Sequence, residues 1–268
     1  MIVVKLGGNA IEGAGLHAVA RDVARIAAGG TRVVVVHGGG PQTSALQEKL
    51  GQTPVKIAGR RVTDAAALDA LKMVVGGKLN IDTCAALLAA GAHPVGLHGA
   101  SSLVVAATRR PPTVLRGGPA EPVCLGLVGD VAGVNRELIE LLNGAGHIPV
   151  IACIGASKDG EIFNINADVV ANEVAIALGA EALVLVSDIP GLLRDVRDPS
   201  SRITRIGETE AMQLIDDGVI TAGMIPKVEE AFAAVRAGVG RVHIVGCIGE
   251  GDLSRELTSP GSVGTAFT

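Results

Sequence analysis

The sequence predicts an α/β protein built on an open, mostly parallel sheet with helices on both faces. Three observations predict it. Short β-branched runs such as Ile2–Leu6, 32–36 and Ala182–Val186 are apolar almost throughout, as strands covered on both faces are. They alternate with stretches whose apolar residues recur at helical spacing. Two of the strands run directly into glycine pairs or triplets, which allow tight strand-to-helix turns.

Taken in order, the first strand, Ile2–Leu6, ends at Gly7-Gly8. Leu16, Val19, Val23 and Ile26 then mark a helix that Gly29-Gly30 closes. The strand at 32–36 runs into His37-Gly38-Gly39-Gly40 and a stretch compatible with a helix. Thr63-Asp64 caps a helical tract through Leu71 and Val75, and a second helix is expected over 79–90, before a strand at 95–97. Residues 101–130 break the rhythm: short β runs between Pro and Gly indicate hairpins. The alternation returns with a helix over 135–142, a strand over 148–153, a hairpin at Lys158-Asp159-Gly160 and a helix over 168–178. The strand Ala182–Val186, helices over 210–217 and 227–237, and a last strand over 241–245 complete the order, with no linker or internal repeat. In such a sheet ligands bind at the carboxyl ends of the strands.

Composition narrows the function. The 268 residues are 48% hydrophobic but include three Phe and no Tyr or Trp, so the core must be aliphatic. The 37 glycines exceed the usual share of roughly 7%. A net charge of −4 gives no general electrostatic reason to bind nucleic acid or an anionic membrane, and the missing aromatics disfavour base stacking. Cys84, Cys124, Cys153 and Cys247 are scattered, with no C-x-x-C pair, as buried free thiols in a reducing cytoplasm would be. No apolar run approaches the ~18 residues of a membrane span, and the opening MIVVKLGG is no signal peptide. A soluble cytoplasmic protein is expected.

Five short elements carry chemistry. Gly38-Gly39-Gly40 is followed by Pro41-Gln42-Thr43, so neither a dinucleotide fingerprint nor a P-loop is present, yet a strand–glycine–helix turn still offers N–H groups to an anion. His37 alone reads as a buried, hydrogen-bonded histidine. Lys5 interrupts an apolar strand just before Gly7-Gly8, where an ammonium needs an anionic neighbour. In Phe163-Asn164-Ile165-Asn166-Ala167-Asp168, Asn166 or Asp168 reads as a helix cap, and alternate asparagines point one way along an extended segment to grip a polar ligand. Lys227 opens a helix, where a cation is electrostatically misplaced unless an anion lies beside it. Arg60-Arg61 supplies a guanidinium suited to a carboxylate. Cations and N–H donors dominate, as the transfer of a phosphoryl group requires.

The ordered motifs VVKLGGNA (3–10), VVHGGGPQ (35–42), GRRVTD (59–64), FNINAD (163–168), LVSDIPGLL (185–193) and TAGMIPK (221–227) resemble those of the amino acid kinase family over essentially the whole chain. The nearest branch phosphorylates N-acetyl-L-glutamate in arginine biosynthesis. The resemblance implies a single α/β/α sandwich of the carbamate kinase-like kind, with an acceptor-binding and dimerising half over about 1–178 and a nucleotide half over about 179–268. It implies ATP and Mg²⁺, the metal riding on the ATP phosphates with no direct protein ligand, and a homodimer. Lys5 would stabilise the transferred group from the acceptor side and Lys227 from the ATP side, with Asp168 positioning both. Gly8, Gly39 and Gly40 would offer amides, and Arg61 and Asn164, with Asn166 nearby, would hold the acceptor. Ser187, Asp188, Gly191, Leu192, Leu193, Val219, Ile220, Thr221, Gly223 and Met224 would border the nucleotide, and the hairpins at 101–130 would form part of an acceptor lid. Arginine-inhibited members carry a helical extension before the first strand, whereas Met1 here lies directly at it, so neither arginine feedback nor a hexamer is expected. Rival readings are a kinase of carrier-linked aminoadipate or glutamate, which the compact GRRVTD and Ala167 disfavour, and a non-catalytic sensor, which the paired lysines disfavour. A nicotinamide dehydrogenase lacks its fingerprint.

Overall fold

The structure, a computed structural model, describes residues 1–220, 224–246 and 249–268. The chain begins with β1 (Ile2–Leu6), a 3₁₀ turn (Gly8–Ile11), α1 (Gly13–Ala28), β2 (Val33–His37) and α2 (Gly40–Lys49). A small hairpin, β3 (Lys56–Ile57) and β4 (Arg60–Arg61), leads to α3 (Ala65–Leu71), a π-helical segment (Lys72–Leu79) and α4 (Asn80–Ala89). Then come β5 (Pro94–Leu97), β6 (Val105–Arg109), β7 (Gly129–Val134), α5 (Arg136–Gly144), β8 (Ile148–Ala152), β9 (Ile154–Ala156) and β10 (Ile162–Asn164). The remainder is α6 (Ala167–Leu178), β11 (Ala182–Val186), β12 (Arg205–Ile206), α7 (Glu208–Asp216), α8 (Ile225–Arg236), β13 (Val242–Val245), α9 (Asp252–Thr258) and β14 (Thr265–Phe267).

One sheet of eight strands, in the order β12-β14-β13-β11-β1-β2-β8-β5, runs through the molecule. All its pairings are parallel except β13 with β14. Every residue of β1, β2, β8, β11 and β13 is buried. Successive strand side chains point to opposite faces, so helices must cover both, and the expected α/β class with its mostly parallel sheet is what forms. A second sheet, β10-β9-β6-β7, stands beside it. Here 101–130 is one long hairpin: β6 pairs antiparallel with β7, and Thr113 bridges Val123 inside the excursion. Leu115, Leu125 and Val128, with Ile57, Val62 and Val123, give it a small apolar cluster of its own.

Two sequence expectations are corrected. The two helices expected to either side of 75–79 are one continuous rod from 65 to 89, wound as a π-helix over Lys72–Leu79. The Gly76-Gly77 pair looks like a break, but Gly76 serves close packing: a methyl there would lie 3.1 Å from Ile154 Cδ1. The strand over 241–245 is not the last, because α9 and β14 follow it. β14 is three residues long, too short for a readable alternation. Cys84, Cys124 and Cys153 are free thiols, but of the three only Cys153 is buried, Cys124 being exposed on the long hairpin; Cys247 lies outside the described residues.

The core is aliphatic apart from Phe163, Phe232 and Phe267, all essentially fully buried. Phe232 of α8 meets Phe267 of β14 edge-on, ring centroids 5.4 Å apart, and so fastens α8 to the edge region of the sheet. Phe267→Ala should lower unfolding free energy by about 3–5 kcal/mol in urea titration. A loss below about 1 kcal/mol would show that the β13–β14 edge contributes little.

Candidate active site

β1 and β2 are parallel neighbours, so their carboxyl ends release two glycine loops side by side. Both loops begin by continuing the sheet: the Gly7 N–H donates to Val186 O and the Gly38 N–H to Leu6 O, each at 3.2 Å. The amides of Gly39 and Gly40 enter α2 at its first turn, where no intrahelical acceptor exists, so they remain available to a ligand. Gly8 opens the 3₁₀ turn after β1.

Close approach fixes these glycines. The Lys5 ammonium folds over the backbone of Gly7, where an added methyl carbon would sit 2.3 Å from Nζ. A methyl on Gly39 would lie 2.4 Å from Leu79 Cδ1 and 2.9 Å from Val75 Cγ2, both on the π-helical segment. His37, wholly buried at the end of β2, holds the second loop from behind. Its Nδ1 faces Gly38 O at 3.1 Å, while its Nε2 faces the Asn80 amide at 2.9 Å. Asn80 Nδ2 is a donor, so Nε2 accepts and Nδ1 carries the proton: the ring is neutral. Burial pushes its pKa down to about 4 against the raising effect of the Gly38 carbonyl. This is the satisfied buried histidine that the sequence suggested.

Asp168 lies where three elements meet. It is the second residue of α6, whose N-cap Asn166 accepts the Asp168 N–H at 3.1 Å. Its two carboxylate oxygens go to different lysines: Oδ1 lies 2.8 Å from Lys5 Nζ of β1, and Oδ2 accepts from Lys227 Nζ of α8 at 2.9 Å. Burial alone would raise the Asp168 pKa, but the charges of Lys5 and Lys227 and their hydrogen bonds outweigh it and hold it at about 2. Lys5 is buried, whereas Lys227 keeps part of its side chain exposed. The anion that Lys227 needed at the start of its helix is therefore built into the protein.

Lys5 of this triad lines a cavity of about 480 Å³, whose lining includes neither Asp168 nor Lys227. Its lining brings together Lys5, Gly7, Gly38, Gly39, Gly40, Arg61, Asn164 and Asn166, and among the described residues it contains no carboxylate. Arg61 is set by α2, donating to Gly40 O at 2.7 Å, to Ser44 Oγ at 2.6 Å and to Gln47 Oε1. Asn164 donates to Thr63 Oγ1 at 3.0 Å. Arg60, read in the sequence together with Arg61, also lines the cavity, as do Lys56, Arg110 and Cys153, which were not read as site residues there. Arg110 comes from the long hairpin and only topology delivers it, paired at 2.6 Å with Asp130. Burial raises the Cys153 thiol to about 12, so it is a protonated, inert wall group.

The remaining predicted residues lie outside this cavity, in the neighbouring part of the sheet. Ser187 and Asp188 follow β11, the strand on the other side of β1. Gly191 (φ +125°) must be glycine, since a methyl there would sit 2.6 Å from Thr265 Oγ1. The Leu192 N–H donates to that same hydroxyl at 2.9 Å, and Leu193 bridges Arg202. The N–H groups of Val219 and Ile220 both donate to Leu214 O, and Met224 is the N-cap of α8. Thr221 and Gly223 lie outside the described residues. Two ammonium groups on separate oxygens of one carboxylate, beside a cation-lined cavity and exposed amides, suit a reaction in which negative charge moves between two anions.

The sequence profile of the amino acid kinase family matches residues 1–246. Among curated proteins, an acetylglutamate kinase of Sorangium cellulosum is 56% identical over 266 residues, covering 99% of this chain and 94% of that protein. Among solved structures, N-acetylglutamate synthase of Neisseria gonorrhoeae, complexed with coenzyme A and N-acetyl-glutamate, superposes with a TM-score of 0.83 at 26% identity, over all of this chain and 59% of that one. Carbamate kinase of Giardia lamblia shares the fold, with a TM-score of 0.69 at 20% identity over 99% of this chain and 97% of that chain.

A pH prediction follows from His37. Its pKa is depressed in the folded state, so its stabilising contribution is present above the ordinary value near 6.5 and is lost as pH falls towards about 4. Protonation should cost on the order of 3 kcal/mol across that window. Urea titrations at pH 7, 5.5 and 4.5 should show a shallower pH dependence for His37→Gln than for the parent; equal slopes would mean that the ring is not held neutral.

Proposed function

The chain belongs to the amino acid kinase family, and from that premise we propose that it transfers the γ-phosphoryl group of ATP to the side-chain carboxylate of N-acetyl-L-glutamate, giving the acyl phosphate used in arginine biosynthesis. The observation that carries this reading is the clamping of Lys5 and Lys227 by the two oxygens of Asp168 at the head of a cavity lined by cations. A carboxylate oxygen of the acceptor attacks the γ-phosphorus, and the bond from that phosphorus to the β,γ-bridging oxygen breaks, releasing ADP. The acceptor carboxylate is already ionised at neutral pH, so no general base is required.

Each group then has a role. Arg61, with Asn164 and nearby Asn166, holds the acceptor, and the amides of Gly8, Gly39 and Gly40 meet the reacting oxygens. Lys5 faces the phosphoryl group from the acceptor side and Lys227 from the nucleotide side, while Asp168 keeps both ammonium groups in place. The segments containing Ser187, Asp188, Gly191, Leu192, Leu193, Val219, Ile220 and Met224, together with Thr221 and Gly223, border ATP. Residues of about 1–178 form the acceptor half and those of about 179–268 the nucleotide half. The donors at the site are ammonium, guanidinium and amide groups, which fit phosphate oxygens and not a bare cation, so Mg²⁺ enters on the ATP phosphates. When bound it neutralises part of their charge. The long hairpin of β6 and β7 covers the acceptor.

A homodimer paired through the acceptor half also fits: Ile81 and Leu88 share a side of α4 and are 67% and 59% exposed. No described helix is long and apolar enough to cross a membrane, and the free cysteines suit a reducing cytoplasm.

Lys5→Ala and Lys227→Ala should each lower kcat by about two orders of magnitude or more, whereas Arg61→Ala should act mainly on the acceptor KM, as a ground-state contact does. An Arg61→Ala enzyme with unchanged acceptor KM would remove Arg61 from the acceptor site. Product formation from ATP with free N-acetylglutamate, set against a carrier-protein-linked acceptor, tests the substrate. Turnover of only the carrier-linked compound would overturn the reading, and ATP binding without turnover of either would indicate a sensor.

A further inference from the structure

Arg61 is held by three acceptors, all on α2 and all electrically neutral: the Gly40 carbonyl, the Ser44 hydroxyl and the Gln47 amide oxygen. Among the described residues no carboxylate pairs with it, although the helix carries one at the next position. Glu48 is exposed to solvent, whereas Gln47 is 4% exposed and faces the guanidinium. Two other cations of the cavity wall differ in this respect. Lys5 is paired with Asp168, which it shares with Lys227, and Arg110 is paired with Asp130. Arg61 therefore brings the cavity a fixed geometry and an undiminished positive charge.

We infer that Gln47 is a positioning residue that sets the affinity for the acceptor by orienting Arg61 without neutralising it. A carboxylate at this position would be nearly isosteric and would form a closed, charge-assisted pair with Arg61. Such a pair would suit the fold at least as well as the amide does. It would also compete with the carboxylate of an incoming acceptor and place a like charge behind it. Acceptor affinity should therefore fall with no loss of stability on one substitution, an outcome that a purely structural role for Gln47 does not produce. Gln52 Oε1 lies 3.4 Å from the other end of the amide, so Gln47 is itself held in the orientation that presents its oxygen to Arg61.

This inference rests on the acceptor reading of Arg61, and its test separates the two. Kd for N-acetyl-L-glutamate would be measured by calorimetry, and kcat and both KM values by steady-state kinetics, for the parent, Gln47→Glu and Gln47→Ala. In Gln47→Glu the acceptor Kd and KM should rise about tenfold, the loss of roughly one charge-assisted contact. Its kcat should stay within about threefold of the parent, its KM for ATP should not change, and its melting temperature should not fall. Gln47→Ala should raise the acceptor KM less and should lower the melting temperature. Ser44→Asp, which puts a carboxylate on a second partner of Arg61, should repeat the acceptor effect and covers the case in which Gln47→Glu fails to fold. Acceptor affinity unchanged in both carboxylate variants would overturn the inference, as would a loss of kcat that tracks melting temperature. A parent protein that binds no N-acetylglutamate would instead overturn the functional reading itself.

Discussion

Two ammonium groups cannot share a small, largely buried volume unless something anionic stands between them, and Asp168 is that anion. Each of its oxygens serves one lysine. Both lysines stabilise the Asp168 charge strongly enough to overcome a burial that favours protonation. Much of the architecture can be understood as bringing three termini to this point. The carboxyl end of β1 delivers Lys5, the amino end of α6 delivers Asp168, and the amino end of α8 delivers Lys227. An open parallel sheet does this readily, because all its strand ends and following helix starts gather on one edge. α6 packs on β1, β2 and β11 and also on α8, so the helix that carries the carboxylate spans both lysine-bearing elements.

Absence of side chain matters as much as charge. Lys5 can reach Asp168 because Gly7 leaves room for its ammonium, and the second loop can settle against Val75 and Leu79 because Gly39 has no methyl. His37, held neutral by burial and by the Asn80 amide, fixes that loop without adding a charge to a site already crowded with cations. Arg61 is seated on neutral partners and keeps its charge, while Lys5 and Arg110 are paired. Which cations carry an ion pair is a property of their neighbours that a list of charged residues does not reveal.

The central strands and the triad were legible in the sequence for a simple physical reason. A strand buried on both faces is written as an unbroken β-branched run, and a lysine interrupting one has to find an anion. That Lys5, Asp168 and Lys227 share one site came from the resemblance of the ordered motifs to the amino acid kinase family. What was hidden depends on contacts between distant segments. The 65–89 rod was read as two helices, whereas it is continuous and its Gly76 accommodates Ile154 from across the fold. β14 is too short to show a period, and Arg110 reaches the cavity from a hairpin whose local sequence says only that it turns. Asn166 illustrates an overlap of roles, since the residue read as a ligand contact is also the cap that starts α6.

Asp168 acts through the two lysines and not as an independent contributor. A double-mutant cycle on kcat with Asp168→Ala, Lys227→Ala and the combined variant measures this directly. If the carboxylate works by placing the ammonium group, the double variant should be little worse than the poorer single variant, leaving a coupling energy of about 2 kcal/mol or more. Strict additivity of the two losses would contradict the account.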